Sequence, residues 1–174
     1  VYVLSNAIPT REIHDNMPIA WMSAGDIIED LPEGISVRAF GSTDLGVSFL
    51  VSMPDGYTIF HAGDLNYWHW DEESSPRHAQ RAKEAFTEIV DRIARLYPSI
   101  DLVFFPVDVR QGAHCAAGAE QFLETIATAD FFPMHFKGDY EKACDFRAYE
   151  IPPTVASRTR MHCLHNPGDH IELK

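Results

Sequence analysis

The sequence lacks the features that mark several common protein classes. No apolar run approaches the roughly 18 residues of a membrane-spanning helix, and no basic start followed by an apolar stretch indicates a signal peptide. The G-x-S-x-G motif of serine hydrolases is absent, and so is a glycine-rich phosphate loop. We therefore expect neither a membrane partner nor a serine nucleophile nor a bound nucleotide phosphate.

Positive charge is also scarce. The chain has 14 lysine and arginine residues against 26 aspartate and glutamate residues, which gives a formal net charge of −12 at pH 7. Such a balance disfavours general electrostatic attraction to nucleic acid or to an anionic membrane surface. A small-molecule substrate is the partner that this composition leaves open.

Cysteine is limited to three residues, Cys115, Cys144 and Cys163. Their number is odd and no two have C-x-x-C spacing, so the sequence predicts no disulfide framework. Cysteines of this kind suit a reducing compartment, which predicts a cytoplasmic location.

The pattern of apolar residues predicts one α+β domain over residues 1–174. Ile35–Phe40 and its neighbours alternate as antiparallel strands, and later strands alternate with helices predicted at Pro76–Tyr97 and Ala117–Ile126. This order predicts a sheet covered by helices on one side. Val1 already lies in a strand-like run without an initiator methionine, so we expect a portion of a longer protein.

Some weaker patterns complete the prediction. The polar stretch Arg11–Met17 contains His14 and Asp15, which could be a ligand pair but are more typical of a solvated loop. A short helix is predicted around residues 140–147. Edge strands are predicted at Met161–Leu164 and His170–Leu173.

Polar side chains follow three apolar strands at the point where each strand ends. Asp64 comes after Tyr57–His61 and the small pair Ala62-Gly63, and Asp108 and His135 follow two later strands. If these strands are neighbours, their ends meet at one edge of the sheet, where a carboxylate and an imidazole can share a divalent ion. Taken singly, an aspartate after glycine is also a common turn cap, and a histidine after a strand is commonly a core residue.

The strings FHAGD at residues 60–64 and FFPMHF at residues 131–136 occur in this order, separated by a long helix and a further strand and helix. Together they resemble the metallo-β-lactamase fold superfamily, in its branch of lactonase-like and uncharacterised bacterial metal-dependent hydrolases. The resemblance covers about residues 35–140. It implies an αββα sandwich that is incomplete at its N-terminus, with this chain as the C-terminal portion.

The resemblance also implies a metal site. Asp64 takes the role of the aspartate that bridges two metals, and His135 takes the role of the last histidine ligand. The implied cofactor is a divalent metal, with zinc favoured and manganese or iron as alternatives. The H-x-H-x-D-H motif of the family is absent from the sequence, and Ser42 stands where the family has a further histidine. Asp44 or His69 could substitute for that ligand.

Other residues near these strings are candidates for the pocket. We expect His61 to be a packing or supporting residue beside the metal. The loop around His69, with tryptophans on both sides, could wall a substrate pocket or fold over the core. Arg110 could hold an anionic substrate or lie at the surface.

Two functions compete. The first is a metal-dependent hydrolase in which a metal-activated water attacks an ester, lactone or phosphoester-type substrate. The second is a non-catalytic binding or regulatory protein of the same fold with a degenerate metal site. Because half of the sandwich would leave one sheet face uncovered, we also expect a homo-oligomer or a complementing N-terminal segment.

Overall fold

A computed structural model describes residues 1–9, 17–70, 74–136, 140–145 and 149–173 of the chain. These residues form nine strands and four α-helices, with 3-10 helices at Pro32–Gly34 and Val109–His114. The strands are β1 (Tyr2–Ser5), β2 (Ile19–Met22), β3 (Ile27–Leu31), β4 (Ile35–Phe40), β5 (Ser48–Ser52), β6 (Thr58–His61), β7 (Ser99–Pro106), β8 (Ala127–Met134) and β9 (Arg160–Met161). The helices are α1 (Pro76–Leu96), α2 (Ala117–Thr125), α3 (Tyr140–Ala143) and α4 (Pro153–Ala156).

Seven of the strands form one mixed sheet in the order β3-β4-β5-β6-β7-β8-β9. Strands β3 to β6 are antiparallel neighbours, as the sequence predicts, and β6 to β9 are parallel neighbours. Strands β1 and β2 form a separate parallel pair, so the prediction of antiparallel strands throughout the first half is wrong there. The connection over residues 6–18 is long enough for the crossover that a parallel pair requires.

The two predicted helices are confirmed, each ending one residue earlier than expected. Ser75 caps α1 by accepting a hydrogen bond from the His78 amide at 3.3 Å, and Pro76 occupies the first helical position. The apolar stripes of α1 and α2 pack on one face of the large sheet, where the ring centre of Phe122 lies 5.3 Å from Phe60 and 5.0 Å from Phe105. Among the described helices, none is both long and apolar enough to span a membrane.

The C-terminal part differs from the prediction. Strand β9 ends at Met161, and His170–Leu173 is not a strand, so the second predicted edge strand is wrong. A turn comes just before this segment, in which the amides of His165 and Asn166 both donate to the carboxylate of Asp169, at 3.0 and 2.9 Å.

Two of the weaker predictions fall wholly or partly outside the described residues. The pair His14 and Asp15 lies there, together with most of the predicted turn at residues 11–17. The predicted helix at 140–147 is confirmed only as α3, and residues 146 and 147 are not among those described.

The cysteine prediction is wrong. Cys144, just after α3, and Cys163, just after β9, form a disulfide with their Cα atoms 6.0 Å apart, while Cys115 is free. The fold brings together two residues that are 19 positions apart in sequence, which spacing rules for short motifs do not detect. The cysteine content therefore no longer supports a cytoplasmic location, which stays a prediction.

The residues that the structure describes cover the second face of the large sheet only in part. Near β1 and β2 it carries a small core that includes Met22 and Val37. Along β6 to β8 the rings of His61, Phe104 and Phe132 form a row, with neighbouring centres 5.9 and 5.2 Å apart, and Phe104 is half-buried. Partly exposed aromatic surface of this kind is compatible with association, but the homo-oligomer stays a prediction.

A buried carboxylate attaches the edge strand β9 to this face. Asp130 on β8 is almost fully buried and accepts two hydrogen bonds from Arg160, at 2.8 and 2.7 Å. Its Oδ1 also lies 2.6 Å from Nε2 of His162. Hydrogen bonds from Arg160, and then from His162, lower the pKa of Asp130 against the opposing effect of burial.

Replacing Asp130 with asparagine is expected to reduce stability in a pH-dependent way. Because the folded-state pKa lies below the unfolded value, the carboxylate stabilises the fold above about pH 4, and this contribution is lost as the pH falls through the folded-state pKa. We expect a loss of about 1–3 kcal/mol in the free energy of unfolding at pH 7. Urea unfolding at pH 7 and at pH 3.5 measures it, and an equal difference between variant and wild type at both values would contradict the prediction.

Candidate metal centre

The turn after β6 places Asp64 at the carboxyl end of that strand. Gly63 has a φ of +60°, and a Cβ atom there would lie 2.9 Å from the carbonyl oxygen of Val47, so the turn requires glycine. The turn leaves the Asp64 side chain 43% exposed at the rim of a pocket.

His135 follows β8 and reaches the same edge of the sheet. Its φ of +63° is a left-handed conformation, uncommon for a residue other than glycine, and it turns the chain sharply at the strand end. Because β6, β7 and β8 are parallel neighbours, their carboxyl ends lie together. The structure brings Nε2 of His135 to 3.7 Å from Oδ1 of Asp64.

Asp108, after β7, orients the imidazole of His135. It is fully buried, and its Oδ2 lies 3.1 Å from Nδ1 of His135. Arg110 donates to Oδ1 through its backbone amide at 3.1 Å and through Nε at 2.8 Å, and its Nη2 contacts Oδ2. Burial alone would raise the pKa of Asp108, but the hydrogen bonds and charge of Arg110 lower it, so the carboxylate is ionised.

An ionised carboxylate only accepts hydrogen bonds, which determines the tautomer of His135. In the neutral tautomer that this contact favours, Nδ1 donates its proton to Asp108 and Nε2, which faces Asp64, carries the lone pair. A histidine held in this way by a carboxylate is the usual arrangement of a metal ligand. Three strand ends thus prepare two donor atoms, Nε2 of His135 and Oδ1 of Asp64.

These two donors fit a divalent metal, although they do not complete its coordination. Bonds from Zn²⁺ to imidazole nitrogen and carboxylate oxygen are about 2.0–2.2 Å, so one ion can reach two atoms that are 3.7 Å apart. Over the described parts of the chain, no group of three or more histidine, cysteine, aspartate or glutamate side chains is arranged to hold an ion. Asp108 does not add a third donor, because Arg110 and His135 occupy its oxygens.

A pocket of about 400 Å³ opens in front of the two donors. Its lining consists of Thr43, Asp44, Asp64, Trp68, Trp70, Arg110 and His135. The indole N–H of Trp68 donates to the carbonyl oxygen of Asp64 at 3.0 Å, and its ring meets His135 edge-on at 5.7 Å between centres. Trp68 therefore contacts both residues of the pair and helps to hold the turn that carries Asp64.

The loop after β4 contributes Asp44 to the pocket, while Ser42 is not among the lining residues. The Ser42 hydroxyl accepts a hydrogen bond from the amide of Asp44 at 3.3 Å, within its own loop. Thr43 instead links this loop to the turn after β6, because its hydroxyl donates to the carbonyl of Asn66 at 2.7 Å and accepts from the Asn66 amide at 3.0 Å.

His61 and His69 both lie outside the pocket. Nδ1 of His61 accepts a hydrogen bond from the amide of Gly63 at 3.1 Å, which supports the turn before Asp64, and desolvation lowers the pKa of His61. His69 stacks on His114, with ring centres 4.3 Å apart. Because it does not line the pocket, it is not placed to act as a substitute ligand.

A buried amide pair lies beneath the loop at residues 67–70, and no pattern in the sequence predicts it. Asn66 donates to Oε1 of Gln111 at 3.0 Å, and Gln111 donates to the carbonyls of Tyr67 and His69 at 2.9 and 3.2 Å. Both amide side chains are buried, so they satisfy backbone groups that water cannot reach. In the sequence they are two polar residues in separate loops, and no short motif relates them.

Replacing Gly118 with alanine is expected to disturb this pair. A Cβ at Gly118 in α2 would lie 2.0 Å from Oδ1 of Asn66 and 2.9 Å from the amide of Tyr67, so the helix or the loop must move. We expect a loss of about 1–3 kcal/mol in the free energy of unfolding, as in other overpacked sites. Urea unfolding measures it. Gly41→Ala is the control, because its nearest contact would be an ordinary 3.5 Å, and equal costs for the two variants would count against the prediction.

Comparison with solved structures finds the same fold elsewhere. The chain is similar to Igni18, a metallo hydrolase from the hyperthermophilic archaeon Ignicoccus hospitalis, with 14% identity and a TM-score of 0.61 over 99% of this chain and 69% of that chain. It is also similar to a metallo-β-lactamase superfamily protein from Thermotoga maritima, with 18% identity and a TM-score of 0.45 over 79% of this chain and 60% of that chain. No protein-family model and no curated protein matches the sequence.

Proposed function

We propose that the chain serves in metal-dependent hydrolysis, because its α+β fold is similar to that of a solved metallo hydrolase and its sequence resembles the metallo-β-lactamase fold superfamily. The observation that supports this most directly is the 3.7 Å approach of His135 Nε2 to Asp64 Oδ1, with Nδ1 of the same imidazole held by the buried Asp108. A histidine that only filled space in the core would need neither this orientation nor a carboxylate in front of it.

Each residue has a distinct part in the proposed site. Asp64 and His135 hold the ion, Asp108 keeps the imidazole in the binding tautomer, and Trp68 holds the Asp64 turn. When bound, the metal supplies Lewis-acid activation of water and of the scissile group. We propose zinc as the ion, with manganese or iron as alternatives, and an ester, lactone or phosphoester as the substrate.

Two protein donors are fewer than the four ligands that zinc usually takes. We propose that the remaining ligands come from another segment of the protein or from a second copy of the chain. The solved relatives extend beyond the matched part, since this chain covers 69% and 60% of them, and the activity of the whole protein is part of the proposal. Binding by this chain alone is accordingly weak and easily reversed by a chelator.

Calorimetric titration with Zn²⁺ and Mn²⁺ tests the proposed site, with hydrolysis of a nitrophenyl ester, a lactone and bis(nitrophenyl) phosphate measured in parallel. We expect one weakly bound ion per site and metal-dependent turnover of at least one substrate. Asp64→Asn, which keeps the shape of the side chain, is expected to remove the binding. Metal binding that persists in this variant would refute the proposed site.

The non-catalytic alternative remains the second candidate, because no group of three donors is assembled in the described residues. It shares the fold and the pocket with the hydrolase and differs in turnover. Metal binding without hydrolysis of any of the three substrates, in a preparation where metal is saturating, would favour this alternative.

A further inference from the structure

Trp70 and Arg110 form a second surface in the pocket, beside Asp64 and His135. The guanidinium carbon of Arg110 lies 5.5 Å from the centre of the Trp70 ring, and the indoles of Trp68 and Trp70 are nearly parallel, with an interplanar angle of 6°. We name Trp70 and Arg110 the Trp70–Arg110 platform. It combines an aromatic surface with a positive charge that lies over the Trp70 ring.

The guanidinium group of the platform has hydrogen-bond donors that do not contact Asp108. Nε and Nη2 of Arg110 donate to Asp108, whereas Nη1 makes no hydrogen bond to any of the residues that the structure describes. The Arg110 side chain is 51% exposed, although the carboxylate that anchors it is fully buried. An arginine held on one side by a carboxylate is already ordered, so a ligand that uses its free side avoids most of the cost of immobilising it.

We propose that the Trp70–Arg110 platform binds the substrate through an oxyanion, a carboxylate or a phosphate, that stands beside a flat apolar group. Calling the bound molecule a substrate rests on the proposed hydrolase function, whereas the binding itself does not. The carboxylates of Asp44 and Asp64 would favour a cation instead, but the charge of Arg110 already lies over the Trp70 ring and disfavours a second cation there.

The test uses three probes with the same ring and different charge: benzoate, benzamide and benzyltrimethylammonium. They are titrated into metal-free Asp64→Asn protein. This variant lacks one of the two proposed metal-binding residues, and it also lacks one negative charge that would repel anions. The indole N–H signals of Trp68 and Trp70 in two-dimensional NMR report binding in the pocket, and Trp21 on β2 is the internal control. We expect benzoate to bind about tenfold more tightly than benzamide, as one charge-assisted hydrogen bond would give.

Matched variants distinguish binding by the Trp70–Arg110 platform from a general effect of positive charge on the protein. In the Asp64→Asn background, Arg110→Gln is expected to remove the preference for benzoate. Arg160→Gln is expected to keep it, because Arg160 also makes two bonds to a buried aspartate but lies on β9, outside the pocket. Trp70→Leu, which leaves the ion pair of Arg110 in place, is expected to weaken the binding of all three probes. This variant tests the platform if Arg110→Gln does not fold.

Equal binding of benzoate and benzamide, tighter binding of the cation, or a preference that survives Arg110→Gln would each overturn the proposal. Phenyl phosphate, titrated beside benzoate, identifies which oxyanion the platform prefers, and a preference for either over benzamide supports it. Since these titrations need no metal, their failure is distinct from a failure of wild-type protein to bind Zn²⁺, which concerns the hydrolase function.

Discussion

Replacing His135 with alanine is expected to weaken Zn²⁺ binding by about 100-fold or more. The variant removes one of the two donor atoms that the fold brings within 3.7 Å of each other, and it leaves the Asp64 carboxylate with no neighbouring ligand from this pair. A single exposed carboxylate binds Zn²⁺ far less well than a carboxylate and an imidazole together. Calorimetric titration at high protein concentration measures the change, because direct titration reaches weak affinities at which a chelator would strip the ion from the protein.

Two control variants make the result specific. His170→Ala removes an exposed histidine far along the chain, so it reports non-specific binding of Zn²⁺ by surface imidazoles. His61→Ala removes the imidazole nearest in sequence to Asp64, whose ring packs near Phe104 instead of lining the pocket. We expect His170→Ala to keep the wild-type affinity and His61→Ala to lose much less than His135→Ala. Wild-type affinity in His135→Ala would contradict the assignment.

The pair of Asp64 and His135 could be predicted from the sequence because Asp64 follows its strand after two turn residues and His135 follows its strand directly. Side chains at the carboxyl ends of neighbouring parallel strands must lie near one another, and the strand order β6-β7-β8 makes these strands neighbours. The same argument places Asp108 at this edge of the sheet, but it does not predict what Asp108 contacts there. Its hydrogen bonds to Arg110 and His135 depend on the path of the backbone after β7, which residue types alone do not specify.

Other polar contacts could not be predicted because their partners are distant in sequence and lie in no motif. Asn66 and Gln111 are 45 residues apart, and Asp130 and His162 are 32 apart. The parallel pairing of β1 with β2 has the same cause, since a strand of four residues carries too little pattern to identify its partner. Helix α1, by contrast, combines a serine cap, a proline and an apolar stripe over 21 residues, so independent local signals agree.

Replacing Asp108 is expected to have the largest combined effect on stability and on metal binding. Asp108→Ala leaves the guanidinium of Arg110 and Nδ1 of His135 without their buried acceptor, and it opens a small cavity. We expect a loss of about 1–3 kcal/mol in the free energy of unfolding from the lost hydrogen bonds, because the guanidinium of Arg110 is half exposed and can be solvated by water. Zn²⁺ affinity should fall by about 10- to 100-fold, since no carboxylate then orients His135, the proposed ligand.

Asp108→Asn separates the two effects. The amide oxygen can still accept a hydrogen bond from Nδ1 of His135, so Zn²⁺ affinity should fall less than in Asp108→Ala, while the ion pair with Arg110 is lost in both variants. Because Arg110 lowers the pKa of Asp108, the wild-type advantage over Asp108→Asn should be present at pH 7 and shrink as the pH falls below about 4.

Asp130→Asn is the matched control for this experiment. Asp130 is also buried, and it also contacts an arginine and a histidine, Arg160 and His162. It does not line the pocket, however. Urea unfolding and calorimetric Zn²⁺ titration of the three variants should therefore show stability losses in all of them and weaker Zn²⁺ binding only where Asp108 is changed. Equal Zn²⁺ affinity in Asp108→Ala and Asp130→Asn would mean that Asp108 supports the fold without positioning His135.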